Sequence, residues 1–268
     1  MVYTDKVIFI TGAANGIGQY LAQALYQRGA TLVAADVQFD KLQAQVQENQ
    51  WEAHRAMIVP LDVSNLESWK TAFARTLEKF GKIDVMINVA GIILPGFIHQ
   101  TAFENIDRHI DINLKGVIYG TKLAAEWMVS RRQGQIINIA SLAGLTPGRG
   151  LNLYCASKFG VRGFSLSVAH ELREHNVFVS VVCPDLVDTG MLTTQLDYHE
   201  AAITFSGNRA LTVPEIGEVI IRQALEKKRL EVVYPAGRGF LAKLSGWFPS
   251  LGVSWISRIL LRKGLQNQ

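Results

Sequence analysis

A short apolar run followed at once by a glycine-rich turn is the feature that most constrains the fold of this chain. Val7-Ile8-Phe9-Ile10 is typical of a buried strand, and Thr11-Gly12-Ala13-Ala14-Asn15-Gly16-Ile17-Gly18 comes directly after it. An amphipathic segment then runs to Gly29, a residue suited to the end of a helix. A strand, a glycine turn and a helix in this order can present backbone N–H groups to a pyrophosphate.

The glycines of this turn are spaced G-x-x-x-G-x-G, one residue longer than the common dinucleotide-binding pattern. Glycines also occur in turns for purely structural reasons, but the flanking strand and helix favour a cofactor site here. The residues expected to bind the cofactor in this loop are Gly12, Asn15, Gly16, Ile17 and Gly18.

The second apolar run, residues 31–35, ends at Asp36. An acidic residue at this point of such a unit hydrogen-bonds the adenosine ribose and repels a 2′-phosphate. No Lys or Arg occurs in the next three residues, and Asn15 in the glycine loop is neutral. These features favour NAD over NADP, while an aspartate that merely begins a helix is the alternative interpretation.

Apolar runs alternate with helical segments along most of the chain. Further runs lie at 57–61, 83–87, 136–140, 177–182 and 231–235. The alternation predicts an α/β fold, a Rossmann-like doubly wound parallel sheet of about seven strands with helices on both faces. Ligands of such sheets bind beyond the carboxyl ends of the strands. Residues marked by their chemistry fall at such ends: Asp36, Asp62, Asn88, Ala90, Gly91, Ser141 and Pro184.

Tyr154 and Lys158 lie four residues apart in a segment with helical periodicity, and therefore on one helix face. A lysine cation beside a tyrosine favours the phenolate and lowers a pKa that is ordinarily about 10. The pair is thus expected to exchange protons near neutral pH. This spacing also arises by chance on solvated helices, so the motifs upstream are what favour a catalytic role.

Composition and charge exclude several classes of protein. The net charge of +4 comes without a dense Lys/Arg block interleaved with aromatic residues, so no nucleic-acid partner is expected. Cys155 and Cys183 lack metal-ligand spacing and offer no disulfide framework, which predicts no metal site and a reducing, cytoplasmic location. No leader pattern is recognised, and no apolar run reaches the roughly 18 residues of a membrane span.

We expect residues 1–235 to form one nucleotide-binding and catalytic domain, with the irregular segment 185–211 as a substrate lid. Residues 236–268 form an amphipathic extension in which Val253, Ile256 and Leu260 share a helical face opposite two arginines. Basic amphipathic helices with tryptophan lie in membrane interfaces, so peripheral membrane contact is one expectation. Packing of this face on the core or on another subunit is the equally open alternative.

With these motifs in place, residues 4–235 closely resemble the short-chain dehydrogenase/reductase family in its single-domain Rossmann-fold branch. The glycine loop is similar to the family's cofactor loop, Asp62-Val63 to its adenine-contacting pair, and Asn88-Val89-Ala90-Gly91 to its Asn-Asn-Ala-Gly turn. The segment from Pro184 through Val187 to Thr189 corresponds to the part that touches the nicotinamide. The family's catalytic tetrad is matched in order and spacing by Asn113, Ser141, Tyr154 and Lys158.

The sequence departs from the family pattern at two positions. Val89 replaces the usual second asparagine, which removes a side-chain hydrogen bond that braces the turn. Asp185 stands where the family usually has glycine, which adds an acidic side chain beside the nicotinamide pocket.

The resemblance implies an NAD(P)-dependent alcohol dehydrogenase or carbonyl reductase acting on CH–OH donors, with NAD preferred. Tyr154 would be the general base in oxidation and the general acid in reduction, with Lys158 lowering its pKa and bonding the nicotinamide ribose. Ser141 would hydrogen-bond the substrate oxygen, and Asn113 would hold a water that links Lys158 to solvent. The resemblance also implies a homodimer or homotetramer.

The expected wall of the substrate site is apolar, which suggests a lipophilic secondary alcohol or ketone such as a steroid, retinoid or acyl derivative. The wall residues are Leu142, Leu145, Leu151, Leu186 and Met191. One alternative is a 3-oxoacyl thioester reductase, which Asp36 disfavours because reductive synthesis usually draws on NADPH. The other is a catalytically silent dinucleotide-binding sensor or scaffold.

Overall fold

A single parallel sheet positions every part of the candidate site. The computed structural model describes residues 3–248, 250 and 262–266. Within these residues seven strands lie in the order β3-β2-β1-β4-β5-β6-β7. The strands are β1 Val7–Thr11, β2 Thr31–Asp36, β3 Ala56–Pro60, β4 Val85–Asn88, β5 Gly134–Ile139, β6 Val177–Pro184 and β7 Glu231–Tyr234. The predicted strand number, the parallel arrangement and the Rossmann-like class are confirmed.

Helices cover both faces of this sheet. They are α1 Gly16–Gln27, α2 Phe39–Glu48, α3 Leu66–Phe80, α4 Phe103–Ile110, α5 Gly116–Arg131, α6 Asn152–Arg173, α7 Gly190–Leu196, α8 Val213–Val219 and α9 Ala236–Trp247. A π-helical turn, Asp111–Lys115, joins α4 to α5, and a second, Ile220–Glu226, follows α8. Successive β1 side chains point to opposite faces of the sheet. Ile8 packs with α1 on one face, whereas Phe9 stacks on Trp69 of α3 on the other, with 6.0 Å between the ring centroids.

The order of the strands creates the crevice at which such sheets bind ligands. β1 pairs with β2 on one side and with β4 on the other, so the chain winds outward in two directions from this point. Because all strands are parallel, the loops that follow β1, β4, β5 and β6 meet at one edge of the sheet.

The segment after β6 is more regular than its sequence suggests. It contains α7 and a 3-10 turn, His199–Ser206, and Val187 pairs with Leu211 across it. Beyond β7, α9 packs on the core through Gly239 and Ala242. The amphipathic pattern predicted around Ile256 lies outside the described residues. None of the helices described has the length and apolar character that crossing a bilayer requires.

Candidate active site

A cavity of about 740 Å³ opens beyond the carboxyl ends of the strands. The loops after β1, β4, β5 and β6 line it, together with α6 and α9. Predicted site residues in its wall are Gly12, Asn15, Gly16, Ile17, Ala90, Gly91, Ser141, Leu142, Leu151, Tyr154, Lys158, Pro184, Leu186, Val187, Thr189 and Met191. Residues predicted for the site but absent from this wall are Gly18, Asp36, Asp62, Val63, Asn88, Asn113 and Leu145.

The loop after β1 requires glycine for steric reasons. Gly12 and Gly16 have φ of +66° and +52°, in the left-handed region that L side chains rarely adopt. A Cβ on Gly12 would also lie 2.9 Å from the backbone nitrogen of Ala90, and one on Gly18 would collide with the carbonyl oxygen of Gly12. The loop is therefore packed closely enough to bring its backbone against a ligand.

The N-terminus of α1 faces the cavity and suits a pyrophosphate. Asn15 precedes the helix, yet its side chain makes no capping hydrogen bond and instead accepts one from Lys41 Nζ at 3.1 Å. The first turn carries no acidic residue. Uncapped N–H groups and the positive end of the helix dipole favour an anion here, so the cradle fits the diphosphate of a nicotinamide dinucleotide.

Asp36 is buried just behind this cradle. Its carboxylate accepts hydrogen bonds from the backbone N–H of Ala14 at 3.0 Å and of Gln38 at 2.9 Å, so it braces the glycine loop. Gln38 and Lys41, which sequence reasoning did not assign, lie in the cavity wall. Lys41 belongs to the first turn of α2, so extending the search for basic residues by one turn beyond Asp36 would have found it.

Thr11 braces the turn that follows β4. Its hydroxyl oxygen accepts hydrogen bonds from the backbone N–H of Val89 at 3.0 Å and of Ala90 at 3.2 Å. Asn88 instead points into the protein, where its amide donates to Asn138 Oδ1 at 2.8 Å. The turn is therefore held without the side chain that Val89 replaces.

Ser141, Tyr154 and Lys158 meet in the cavity wall. Ser141 follows β5, whereas Tyr154 and Lys158 lie one turn apart on α6 as predicted. Lys158 Nζ lies 5.6 Å from the centroid of the Tyr154 ring and donates a hydrogen bond to the Ile139 carbonyl oxygen at 3.0 Å. The side chains of an acid, a hydroxyl donor and a cation thus border the same space.

The lowered pKa expected for Tyr154 is not found. Burial raises the pKa of Tyr154 to about 12, although a hydrogen bond with Ser141 acts in the opposite direction. Burial also lowers the pKa of Lys158 to about 8. Because Lys158 lies over the ring and bonds a carbonyl oxygen, its charge does not offset the loss of solvation of the phenol.

Asn113 lies behind the wall, fully buried in the π-helical turn between α4 and α5. Its amide donates to the Ile92 carbonyl oxygen at 2.9 Å and to Ser157 Oγ at 3.1 Å, and its oxygen accepts from the Ile92 N–H at 2.7 Å. The side chain therefore fastens the loop after β4 to α6. A Cβ on Gly91 would lie 3.1 Å from Asn113 Oδ1, so a side chain at this position would crowd Asn113.

The substrate end of the cavity is mostly apolar, but its wall differs from the one expected. Leu145 packs in the core with Val161 and Ala242 rather than lining the cavity. Residues of α9 line it instead, namely Leu241, Ala242, Leu244 and Ser245. The apolar composition of residues 236–248 was the only signal in the sequence that could have found them.

Asp62 and Val63, predicted to contact adenine, follow β3 outside the cavity wall. The Asp62 carboxylate accepts a hydrogen bond from the Ser64 N–H at 2.9 Å, and the Val63 carbonyl accepts one from the indole of Trp69 at 3.0 Å. Adenine contact by this pair therefore stays a prediction.

Comparison with known proteins gives a consistent picture of relatedness. A family model for short chain dehydrogenase matches residues 6–199. The 3-oxoacyl-[acyl-carrier-protein] reductase FabG of Thermotoga maritima is 34% identical over 186 residues, which are 69% of this chain and 76% of that protein. An uncharacterized oxidoreductase of Staphylococcus aureus (strain N315) is 32% identical over 231 residues, 86% of this chain and 96% of that protein.

Solved structures agree with these sequence matches. A short-chain dehydrogenase/reductase from Burkholderia phymatum in complex with NAD superposes with a TM-score of 0.83 at 25% identity, covering 94% of this chain and 96% of that one. A short-chain type dehydrogenase/reductase from Mycobacterium marinum gives a TM-score of 0.78 at 26% identity, covering 87% and 94%. The chain therefore belongs to the short-chain dehydrogenase/reductase family.

Proposed function

We propose that the protein is an NAD(H)-dependent oxidoreductase that interconverts a lipophilic secondary alcohol and its ketone. The observation that carries the proposal is that Ser141, Tyr154 and Lys158 border one largely apolar cavity together with the glycine loop. A proton donor, a cation and a dinucleotide cradle in one space are what carbonyl reduction requires.

The residues assigned to cofactor binding divide along the cavity. The N-terminus of α1 would receive the diphosphate, while Lys158 and the segment from Pro184 to Thr189 would contact the nicotinamide end. When bound, the nicotinamide would donate or accept the hydride. Asn113 would position Lys158 and the loop after β4 through its bonds to Ile92 and Ser157.

Tyr154 would give its proton to the substrate oxygen in reduction and remove a proton in oxidation. Burial raises the pKa of Tyr154 to about 12, so its hydroxyl holds its proton at neutral pH until a substrate oxygen accepts it. Ser141 would donate a hydrogen bond to the same oxygen and stabilise the charge that develops there.

Preference for NAD rests on Asp36, whose carboxylate lies behind the glycine loop where it would disfavour a 2′-phosphate. The structural relative from Burkholderia phymatum was solved with NAD. Lys41 in the cavity wall opposes this preference for NAD, since its ammonium group would attract a 2′-phosphate.

A 3-oxoacyl thioester reductase is the second candidate function. The 34% identity with the Thermotoga maritima reductase favours it, and an acyl chain would suit the apolar wall that α9 completes. A silent dinucleotide-binding scaffold is disfavoured by the complete tetrad.

Cytoplasmic location, a homodimer or homotetramer, and peripheral membrane contact of residues 236–268 remain predictions.

The proposal is tested by a cofactor titration with NADH and NADPH, followed by a turnover screen over steroids, retinoids, simple ketones and 3-oxoacyl thioesters. We expect tighter binding of NADH and steady NADH oxidation with an apolar ketone. Turnover only with 3-oxoacyl thioesters would establish the second candidate. Tight cofactor binding without turnover of any substrate would contradict both and support the silent scaffold.

A further inference from the structure

The helix α9 carries its small residues toward the protein, whereas its large apolar residues are exposed, two of them also lining the cavity wall. Gly239 and Ala242 are buried, and a Cβ on Gly239 or Gly246 would collide with Val233 or with the Leu145 carbonyl oxygen. This distribution reverses that of a helix whose function is to close a hydrophobic core, where the large side chains point inward.

Five large apolar side chains of α9 and of the residue that follows it are exposed. They are Phe240, Leu241, Leu244, Trp247 and Phe248. Phe240 is 65% exposed and Trp247 is 73% exposed, and with Leu244 they follow one another at spacings of four and three residues along one side of the helix. Single exposed apolar residues are common, but a contiguous group of this kind marks an interaction site.

Charge indicates what this surface contacts. Residues 236–268 contain no Asp or Glu, and their basic residues are Arg238, Lys243, Arg258, Arg262 and Lys263. Since the whole chain has a net charge of +4 and these five contribute +5, the remaining residues sum to −1. Arg238 is paired with Asp185 and Lys243 with Glu231, whereas Arg262 and Lys263 are exposed. Two copies meeting through this end of the chain would bring Arg262 and Lys263 against their own equivalents, whereas anionic lipid headgroups would neutralise both.

The same surface continues into the catalytic cavity. Leu241 and Leu244 are exposed outside and also line the cavity wall, so an apolar path leads from the outer face of α9 to the space beside Tyr154. An apolar substrate partitions into lipid rather than water, so a bilayer against α9 would be the richest source of it.

We propose that α9 docks the protein on an anionic phospholipid bilayer, with the aromatic rings of Phe240 and Trp247 in the headgroup region and the cavity mouth facing the lipid. Docking follows from the surface alone. Delivery of an apolar substrate from the bilayer rests on the proposed oxidoreductase function.

Co-sedimentation of the full chain with vesicles of phosphatidylcholine containing about one-third phosphatidylglycerol tests docking. The wild-type protein should sediment, and less so as salt rises. The double variant Phe240→Ser/Trp247→Ser changes two positions outside the cavity wall. It should bind vesicles roughly tenfold or more weakly, because it lacks the two aromatic rings that would insert into the bilayer. Phe103→Ser, which removes an exposed ring from the start of α4, should sediment like the wild type.

Wild-type protein that stays in the supernatant, or a double variant that sediments equally well, would overturn the proposal. Light scattering gives the oligomer mass of the same variant. A lower mass in the double variant without a loss of vesicle binding would also overturn the proposal, because it would assign the surface to contact with a second copy of the chain. Thermal melting and turnover of a water-soluble ketone check that the variants fold. Absence of turnover in wild type with every substrate of the screen would contradict the oxidoreductase function and leave docking standing on sedimentation alone.

A second measurement does not depend on a variant that loses binding. Vesicles with brominated acyl chains should quench part of the tryptophan fluorescence of the wild type and less of it in Trp247→Phe. Equal quenching of the two proteins would place Trp247 outside the bilayer and contradict the proposed orientation.

Discussion

Asp185, the residue after β6, and Arg238, in the first turn of α9, form an ion pair in the cavity wall. Arg238 Nη2 also lies 3.4 Å from Asp185 Oδ1 and 3.5 Å from Ser206 Oγ. The acidic side chain that replaces the usual glycine is thus turned toward α9 and neutralised there. The pair ties the nicotinamide side of the cavity to the helix that completes the substrate wall.

Removing this tie should loosen the substrate wall more than it slows the chemistry. For Arg238→Gln we expect KM for an apolar ketone to rise roughly fivefold while kcat changes less than about twofold, because the lost contact positions α9 and not the reacting atoms. Arg28→Gln is the matched control, since Arg28 pairs with Glu218 at similar exposure away from the cavity. A KM effect of equal size in both variants, measured by steady-state kinetics, would contradict this role.

Asp36 should set the choice between the two nicotinamide cofactors. In Asp36→Ala the ratio of kcat/KM for NADH to that for NADPH should fall about tenfold or more, because the charge that opposes a 2′-phosphate is lost while Lys41 remains. Asp40→Ala, which removes an exposed acidic group from the same helix turn as Lys41, is the control and should leave the ratio unchanged. An unchanged ratio in Asp36→Ala would exclude this carboxylate from cofactor selection.

Thr11 should hold the turn after β4 through its hydroxyl. Thr11→Val leaves the N–H groups of Val89 and Ala90 without this acceptor, so the free energy of unfolding should fall by about 1–3 kcal/mol. Urea denaturation measures the change. Thr11→Ser keeps the hydroxyl and should retain most of the stability, and a serine variant as unstable as the valine variant would assign the effect to packing instead.

His109 should make stability depend on pH below neutrality. Its ring is buried, its Nε2 accepts a hydrogen bond from the Leu94 N–H at 3.2 Å, and burial lowers its pKa. The unfolded chain therefore binds a proton near pH 6.5 that the folded chain resists, so the stability contribution is present above that pH and falls as pH decreases through it. Compared by urea denaturation, wild type should lose more stability from pH 7 to pH 5 than His109→Gln, and parallel losses would contradict this assignment.

The sheet and its ligand edge were predictable because they rest on local patterns. Apolar runs that alternate with helical segments specify a parallel sheet, and strand ends then meet at one edge whatever the details of packing. The same reasoning placed Ser141, Tyr154 and Lys158 in one cavity. It depends only on strand order and helix phase.

The properties that failed to follow from the sequence depend on distant contacts. The pKa of Tyr154 is raised chiefly by burial, which depends on residues from several elements and not on the spacing of Tyr154 and Lys158. The bracing of the Val89 turn by Thr11 and the pairing of Asp185 with Arg238 join residues far apart in the chain. The spacing of residues along the chain predicts contacts within one helix or strand. It therefore cannot predict contacts between residues on different elements.

Tyr154→Phe tests the central claim most directly, because it removes only the hydroxyl that would move the proton. Stopped-flow turnover of an apolar ketone and fluorescence titration of NADH are measured on the same preparation. We predict a loss of turnover of at least about a thousandfold with the affinity for NADH nearly unchanged. Substantial residual turnover would remove Tyr154 from the acid/base role and contradict the proposed function of the site.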